Sequence, residues 1–211
     1  PDSPIWMDSS TGAQCAQLED RLGGAAAVAA LTGSRAFERF TGNQIAKVYE
    51  QTPQVYEQTE RVALISSFMC SLLVGDYAPI DTSDGAGMNL MDLQRQAWSD
   101  AALDATAPEL KRRLGDVVPA HTVVGSVSPY MSARYGFSPQ CSVVAWSGDN
   151  PNSVAGLGIR DEGDVGISLG TSDTLFSIVS AAASVPSVSS HTFVNPVDPA
   201  SHMVMLCVKN G

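Results

Sequence analysis

Apolar residues recur at helical spacing along the first part of the chain. Cys15, Leu18 and Leu22 mark one face of a helix that opens near Thr11 and stops at Gly23-Gly24. Thr11 with Gln14 three residues later predicts a capping box at its start. Before it, Pro4-Ile5-Trp6-Met7 reads as a short buried strand. An alanine-rich helix over 25–31 ends at Thr32-Gly33. Ile45 and Val48 share one side of a helix over 44–51, with Lys47 off that side. Residues 62–65 read as a buried strand and 68–74 as a core helix. The run Asp81-Thr82-Ser83-Asp84-Gly85-Ala86-Gly87 is rich in turn formers and predicts a loop. A helix over 90–103 would turn Leu90, Leu93, Ala97 and Trp98 inward. Lys111-Arg112-Arg113 reads as a solvated helix end, where positive charge complements the dipole. Residues 142–146 read as a strongly buried strand. Residues 163–179 read as two strands around a turn at Gly170-Thr171-Ser172-Asp173, and 177–190 as loop and strand edge. Strands alternating with helices and then a hairpin predict an α/β protein, with a domain boundary near Ser147.

Composition narrows the function. The chain has 211 residues, 44% of them apolar, enough for a real core. Only 16% are charged, against about 25% in an average protein. Acids outnumber bases 22 to 12, for a net charge of −10. That excludes nucleic-acid binding through a broad basic face and argues against docking on anionic membrane. The longest uncharged apolar run, from Val62 to Gly75, is shorter than the ~20 residues of a membrane span. Cys15, Cys70, Cys141 and Cys207 lie far apart without a CxxC pair. They form neither a disulfide framework nor a zinc site and suit a reducing cytoplasm. His121, His191 and His202 lack ligand spacing and read as structural or surface residues. The sequence opens on Pro1, and Lys209-Asn210-Gly211 follows an apolar run over 203–208, so both ends read as cut. That run reads as a strand whose sheet neighbours lie further on, leaving an open apolar edge.

Four segments could carry chemistry. Ser147-Gly148-Asp149-Asn150-Pro151 follows the strand at 142–146 and opens a helix over 152–157. Pro151 fits the first helical position and Asn150 the N-cap. Capping accounts for those two and leaves Asp149 unexplained. An acid at the carboxyl end of a strand stands where α/β proteins place ligands, and could take a proton from a substrate hydroxyl. Ser168-Leu169-Gly170-Thr171-Ser172-Asp173-Thr174 is a hairpin turn or a phosphate cradle of backbone N–H groups and hydroxyls. Arg35 and Arg39, among Phe37 and Phe40, could bind sugar hydroxyls or pair with Glu38 or Asp84. The acids of the run from Asp81 to Asn89 could bind a cation or terminate turns. Asp8-Ser9-Ser10-Thr11 imitates the phosphate hairpin of actin-like ATPases, but a capped helix follows it rather than a second strand, so that role is rejected.

Taken in order, these segments resemble the FGGY family of carbohydrate kinases. The resemblance rests on Trp6-Met7-Asp8, Thr41-Gly42-Asn43-Gln44-Ile45-Ala46-Lys47, the run from Asp81 to Gly87, Gly148-Asp149-Asn150 and Ser168-Leu169-Gly170-Thr171-Ser172. Thr32-Gly33-Ser34-Arg35, leading into Glu38-Arg39-Phe40-Thr41-Gly42-Asn43-Gln44, and the proline after Gly-Asp-Asn are similar to the eukaryotic branch that acts on xylulose. The resemblance implies an actin-like (RNase H-like) α/β fold, with parts of two domains flanking a cleft. Residues 1–146 would end the sugar-binding domain and 147–211 would open the ATP-binding domain. It implies ATP- and Mg2+-dependent phosphorylation of D-xylulose to D-xylulose 5-phosphate. Gluconate, ribulose or glycerol are the alternative substrates, and a non-catalytic truncated fragment the alternative role. Asp149 matches the catalytic base, Arg39, Asp149 and Asn150 the sugar ligands, and Gly170, Thr171 and Ser172 the loop facing the ATP phosphates. Family members also carry an N-terminal phosphate hairpin, a Gln-Gln-His-type sugar segment and a distal Gly-Gly adenosine loop. None of these is in this sequence, so it resembles the middle of a kinase more than twice as long, inactive by itself.

Overall fold

The computed structural model describes residues 3–169 and 172–209. Five helices come first: α1 (Gly12–Leu22), α2 (Ala25–Thr32), α3 (Thr41–Gln51), α4 (Pro53–Gln58) and α5 (Ile65–Val74). Cys15 and Leu18 of α1 pack with Val28 of α2 and Ala36, as the helical spacing predicts. Left-handed Gly23 and Gly33 end α1 and α2. The capping box does not form. The Thr11 hydroxyl donates instead to the Glu38 carbonyl at 2.6 Å, and the Gln14 amide to the Glu50 carboxylate at 2.6 Å. Residues 3–7 form no strand. Ile5, Trp6 and Met7 are exposed in a turn, with no neighbouring strand among the described residues to pair with. Residues 62–64 are also irregular, and α5 buries only Ser66, Ser67 and Cys70 while Ile65, Phe68 and Leu72 face outward.

The middle section is built of short elements. They are β1 (Ile80–Asp81), α6 (Thr82–Ala86), β2 (Met91–Asp92), β3 (Ala97–Trp98), α7 (Asp100–Thr106), α8 (Leu110–Leu114), β4 (Val117–Val118), β5 (Val123–Ser126), α9 (Pro129–Tyr135) and β6 (Ser142–Val144). β1 and β4 run parallel; β2 with β3 and β5 with β6 are antiparallel. The long helix expected over 90–103 is broken by Asp92, whose carboxylate accepts from the amides of Gln94 and Arg95 at 3.0 Å and turns the chain. Ser99 then caps α7 through the Ala102 amide. The run from Asp81 is a strand end and a buried helical turn rather than a loop, because the Asp81 carboxylate caps α6. Arg113 is not solvated: it is 5% exposed, lies 4.6 Å over the Tyr56 ring and donates to the Thr59 carbonyl. β6 is buried only on the Val143 side, which packs with Cys70, Ala78 and Val127, while Val144 and Trp146 are exposed.

The last elements are α10 (Asp149–Gly156), β7 (Val165–Ser168), β8 (Ser172–Ser180), β9 (His191–Val194) and β10 (Ser201–Lys209). The β7–β8 hairpin forms as expected. The four strands make an antiparallel sheet in the order β7-β8-β10-β9. β10 therefore lies between β8 and β9, paired along its length with β8 and over residues 202–205 with β9. β9 thus closes the edge expected at 203–208 only as far as Met205, and 206–208 have no second strand beside them among the described residues. Phe176, Ile178, Met203 and Met205 of this sheet share one core with Leu90, Met91, Leu93, Leu110 and Leu114. Sheet and helices therefore share one core, and a cleft is lined by residues of both.

Candidate functional site

That cleft has a volume of ≈ 680 Å³. Arg39, Asp84, Asp149 and Asn150 face it, together with Phe40, Trp146 and Phe193. A roomier depression of ≈ 750 Å³ beside α5, lined by Arg61, Phe68, Leu72 and Tyr77 among others, includes none of these four polar groups.

Asp149 is placed by the turn that follows β6. The Ser147 hydroxyl donates to Asp81 Oδ2 at 3.0 Å, and the Asn152 amide donates to the Ser147 carbonyl at 3.0 Å. Gly148 is the N-cap, so α10 opens at Asp149 and Asn150 is its second residue. The expected cap at Asn150 is thus two residues late. Pro151 is tolerated there because the first-turn N–H groups of a helix lack partners within the helix. Asp149 is exposed, and its Oδ1 accepts from the Asn150 backbone amide at 2.8 Å and the Asn150 side-chain amide at 3.2 Å. A Cβ at Gly148 would lie 2.7 Å from Asp84 Oδ1, so a side chain there would displace the Asp84 carboxylate.

The sequence offers Asp84 as a turn former, a cation ligand or a partner for Arg35 or Arg39, and the fold makes it a second carboxylate of the cleft. Its Oδ2 accepts from the Ser66 hydroxyl at the start of α5. Burial raises its pKa and the nearby charge of Asp149 raises it further, while the Ser66 bond opposes both. Asp81 behind it is fully buried. Burial first, and the Asp84 charge second, push Asp81 from the ordinary 3.8 up to about 7, against the amide and hydroxyl bonds it accepts. The folded state therefore holds this proton where the unfolded chain has lost it. The stability this confers is complete below the ordinary value and is lost as pH rises through about 7. Asp81→Asn keeps an acceptor for the α6 cap and cannot ionise. Its stability relative to the parent should rise between about pH 4 and pH 7, by a few kcal/mol at most, and level off above. Urea midpoints measured across that range check this; a difference independent of pH would show that Asp81 ionises freely.

Arg39 lies exposed at the rim, its guanidinium 5.2 Å from the Phe37 ring and 5.8 Å from the Trp6 ring. Arg35 pairs with Glu19 at 3.3 Å, not with Glu38 or Asp84, and does not line the cleft. Gly170 and Thr171 fall outside the described residues, and Ser172 begins β8 opposite Lys209. The structure thus brings Arg39, Asp149 and Asn150 together and adds Asp84. His191 contacts Ser34, Phe37 and Phe40, and His202 is buried in β10. Among the described residues no group of three or more His, Cys, Asp or Glu could hold a metal. Asp84 and Asp149 do supply the one or two carboxylates with which proteins hold magnesium that arrives on substrate phosphates.

The model for the FGGY family of carbohydrate kinases, N-terminal domain, matches residues 3–156. The xylulose kinase of Mus musculus is 56% identical over 210 residues, covering 100% of this chain and 38% of its own length. This chain thus spans well under half of that relative. A solved xyloylose kinase from Brucella ovis superposes with a TM-score of 0.88 at 25% identity, over 98% of this chain and 41% of that one. A gluconate kinase from Lactobacillus acidophilus superposes with a TM-score of 0.87 at 20% identity, over 100% of this chain and 42% of that one. The actin-like α/β fold expected from the sequence is borne out by these superpositions, which do not separate sugars. With a family model matched over most of its length, the chain belongs to the FGGY family of carbohydrate kinases.

Proposed function

We propose that the protein carrying this sequence transfers the terminal phosphoryl group of ATP to the terminal hydroxyl of D-xylulose, giving D-xylulose 5-phosphate and ADP. The observation that carries this is the convergence of Asp149, Asn150 and Arg39 on one cleft, in a chain 56% identical to a xylulose kinase. In this reading Asp149 accepts the hydroxyl proton as the sugar oxygen attacks the phosphorus and ADP leaves. Both Asn150 contacts fall on Oδ1, which fixes the carboxylate plane and leaves the Oδ2 edge to take the proton. Arg39 and Asn150 donate to sugar hydroxyls, and the loop at Gly170, Thr171 and Ser172 cradles the phosphates. The cleft carboxylates Asp84 and Asp149 are the residues that would hold magnesium arriving with ATP, and the ion would supply charge neutralisation for the transferred group. Residues 1–146 form the sugar side and 147–211 the opening of the nucleotide side. A cytoplasmic setting suits the four free cysteines. No helix among the described residues is long and apolar enough to cross a membrane.

A panel of D-xylulose, ribulose, gluconate and glycerol, assayed by ADP release with the whole protein, tests this. D-xylulose should lead in kcat/KM by about tenfold or more, the effect of one mismatched buried polar group. A lead by gluconate or glycerol would overturn the substrate. Absence of ADP release with every acceptor would overturn catalysis and favour a non-catalytic role.

A further inference from the structure

Strand β9 docks on the segment between α2 and α3 that carries Arg39. The Thr192 amide donates to the Gly33 carbonyl at 2.8 Å. His191 Nδ1 lies 3.1 Å from the hydroxyl of Ser34, which is fully buried. The His191 ring meets Phe37 edge-on at 5.2 Å, lies 5.3 Å from Phe40 and stacks on Phe193 at 6.1 Å. The Arg39 guanidinium lies over the same Phe37 ring. Phe37 therefore stands between a residue of the sheet and the one arginine that the cleft presents from this segment.

We infer that His191 is a positioning residue for sugar recognition: anchored on Ser34, Phe40 and Phe193, its ring fixes Phe37 and so sets where the Arg39 guanidinium stands at the rim of the cleft. The inference rests on the reading of Arg39 as a sugar ligand. It accounts for a histidine at this place. Its ring packs against three phenylalanines, and a ring nitrogen reaches Ser34. Burial, and then the charge of Arg39, hold the His191 pKa below its ordinary value, so the ring is neutral at pH 7 and does not repel the guanidinium it places.

The test is a double-mutant cycle in the whole protein, with KM for xylulose, KM for ATP and kcat measured for each variant. His191→Ala should raise the xylulose KM about 3- to 10-fold, the scale of one or two aromatic contacts. The ATP KM and kcat should stay within about twofold. His191→Phe, which restores the ring, should recover most of the loss. In an Arg39→Ala background, His191→Ala should add nothing, because the group it positions is gone. His191→Asn, with a polar group for Ser34 but no ring, replaces His191→Ala if the latter does not fold. An unchanged xylulose KM in His191→Ala, or an effect that adds fully to that of Arg39→Ala, would overturn the inference. So would a parallel loss in both KM values and kcat, the mark of general disruption. If Arg39→Ala itself leaves the xylulose KM unchanged, the sugar reading of Arg39 fails and the inference falls with it. A weakened Arg39→Ala beside a silent His191→Ala removes the inference alone.

Discussion

Asp149→Asn should lower kcat for xylulose by about 10²–10⁴ while leaving the fold and sugar binding in place. Asparagine keeps the shape of the side chain and can still accept from the Asn150 amide, but it cannot take a hydroxyl proton. The structural role of Asp149 is small. It stands in the first turn of α10 without capping it, since the N-cap is Gly148. Losing its charge there removes about 0.3–1 kcal/mol of attraction to the helix dipole. If Asp149 served only to start the helix, the substitution would be nearly silent in rate. The two readings therefore differ by orders of magnitude in kcat and hardly at all in stability. Steady-state rates beside a denaturation curve decide between them, and a kcat within a few-fold of the parent would remove Asp149 from the chemistry.

Gly33→Ala should cost about 2–5 kcal/mol of stability, enough to unfold much of a marginal protein. Two effects combine. Gly33 has φ 89°, a left-handed conformation that costs a residue with a Cβ about 1–2 kcal/mol. A Cβ there would also run into the Thr192 carbonyl oxygen and crowd Leu93 Cδ2 at 3.3 Å. The obstacle is backbone, which cannot rotate aside, so β9 must move and its bond from Thr192 to the Gly33 carbonyl is lost with it. Gly136→Ala separates the two effects, because Gly136 has φ 75° but nothing within 4 Å of the added carbon. It should show the conformational cost alone. Guanidinium midpoints for the two variants make the comparison, and equal losses would mean that β9 is not seated tightly on the α2 end.

Helices α1 and α3 could be read from the sequence because each buries one face, marked by Cys15 and Leu18 in the first and Ile45 in the second, while α2 shows as an alanine-rich run that ends at Gly33. The β7–β8 hairpin could be read because a turn separates two apolar runs. Reading failed where a local signal is captured by a distant partner. Thr11 and Gln14 carry the letters of a capping box, yet Glu38 and Glu50 take their hydrogen bonds. Leu90, Leu93 and Trp98 are buried as a helix would bury them, but Asp92 folds them into a hairpin instead. The apolar run at 203–208 looks the same whether it is an edge or a centre, and only β9, which covers its far side as far as Met205, decides. The site shows the same division. Local spacing left Asp149 between a helix start and a base, and the ordered motifs assigned it a chemical role. Asp84 stayed hidden in a run of turn formers. It becomes a cleft residue only because Asp81 caps α6 and Ser66 reaches across to it.

The central position of β10 dictates an order of events during synthesis. β8 and β9 both leave the ribosome before the strand that separates them, and they do not pair with each other. Until residues 201–209 emerge, the β7–β8 hairpin has one free side and β9 has no partner in the sheet. The β7–β8 hairpin can therefore form early, while the rest of the sheet waits for β10 and closes late. Nascent chains halted before Ser201 should leave residues 172–194 open to protease, and chains halted far enough beyond Lys209 to clear the exit tunnel should protect them. Equal protection at both lengths would mean that the earlier strands find a temporary partner of their own.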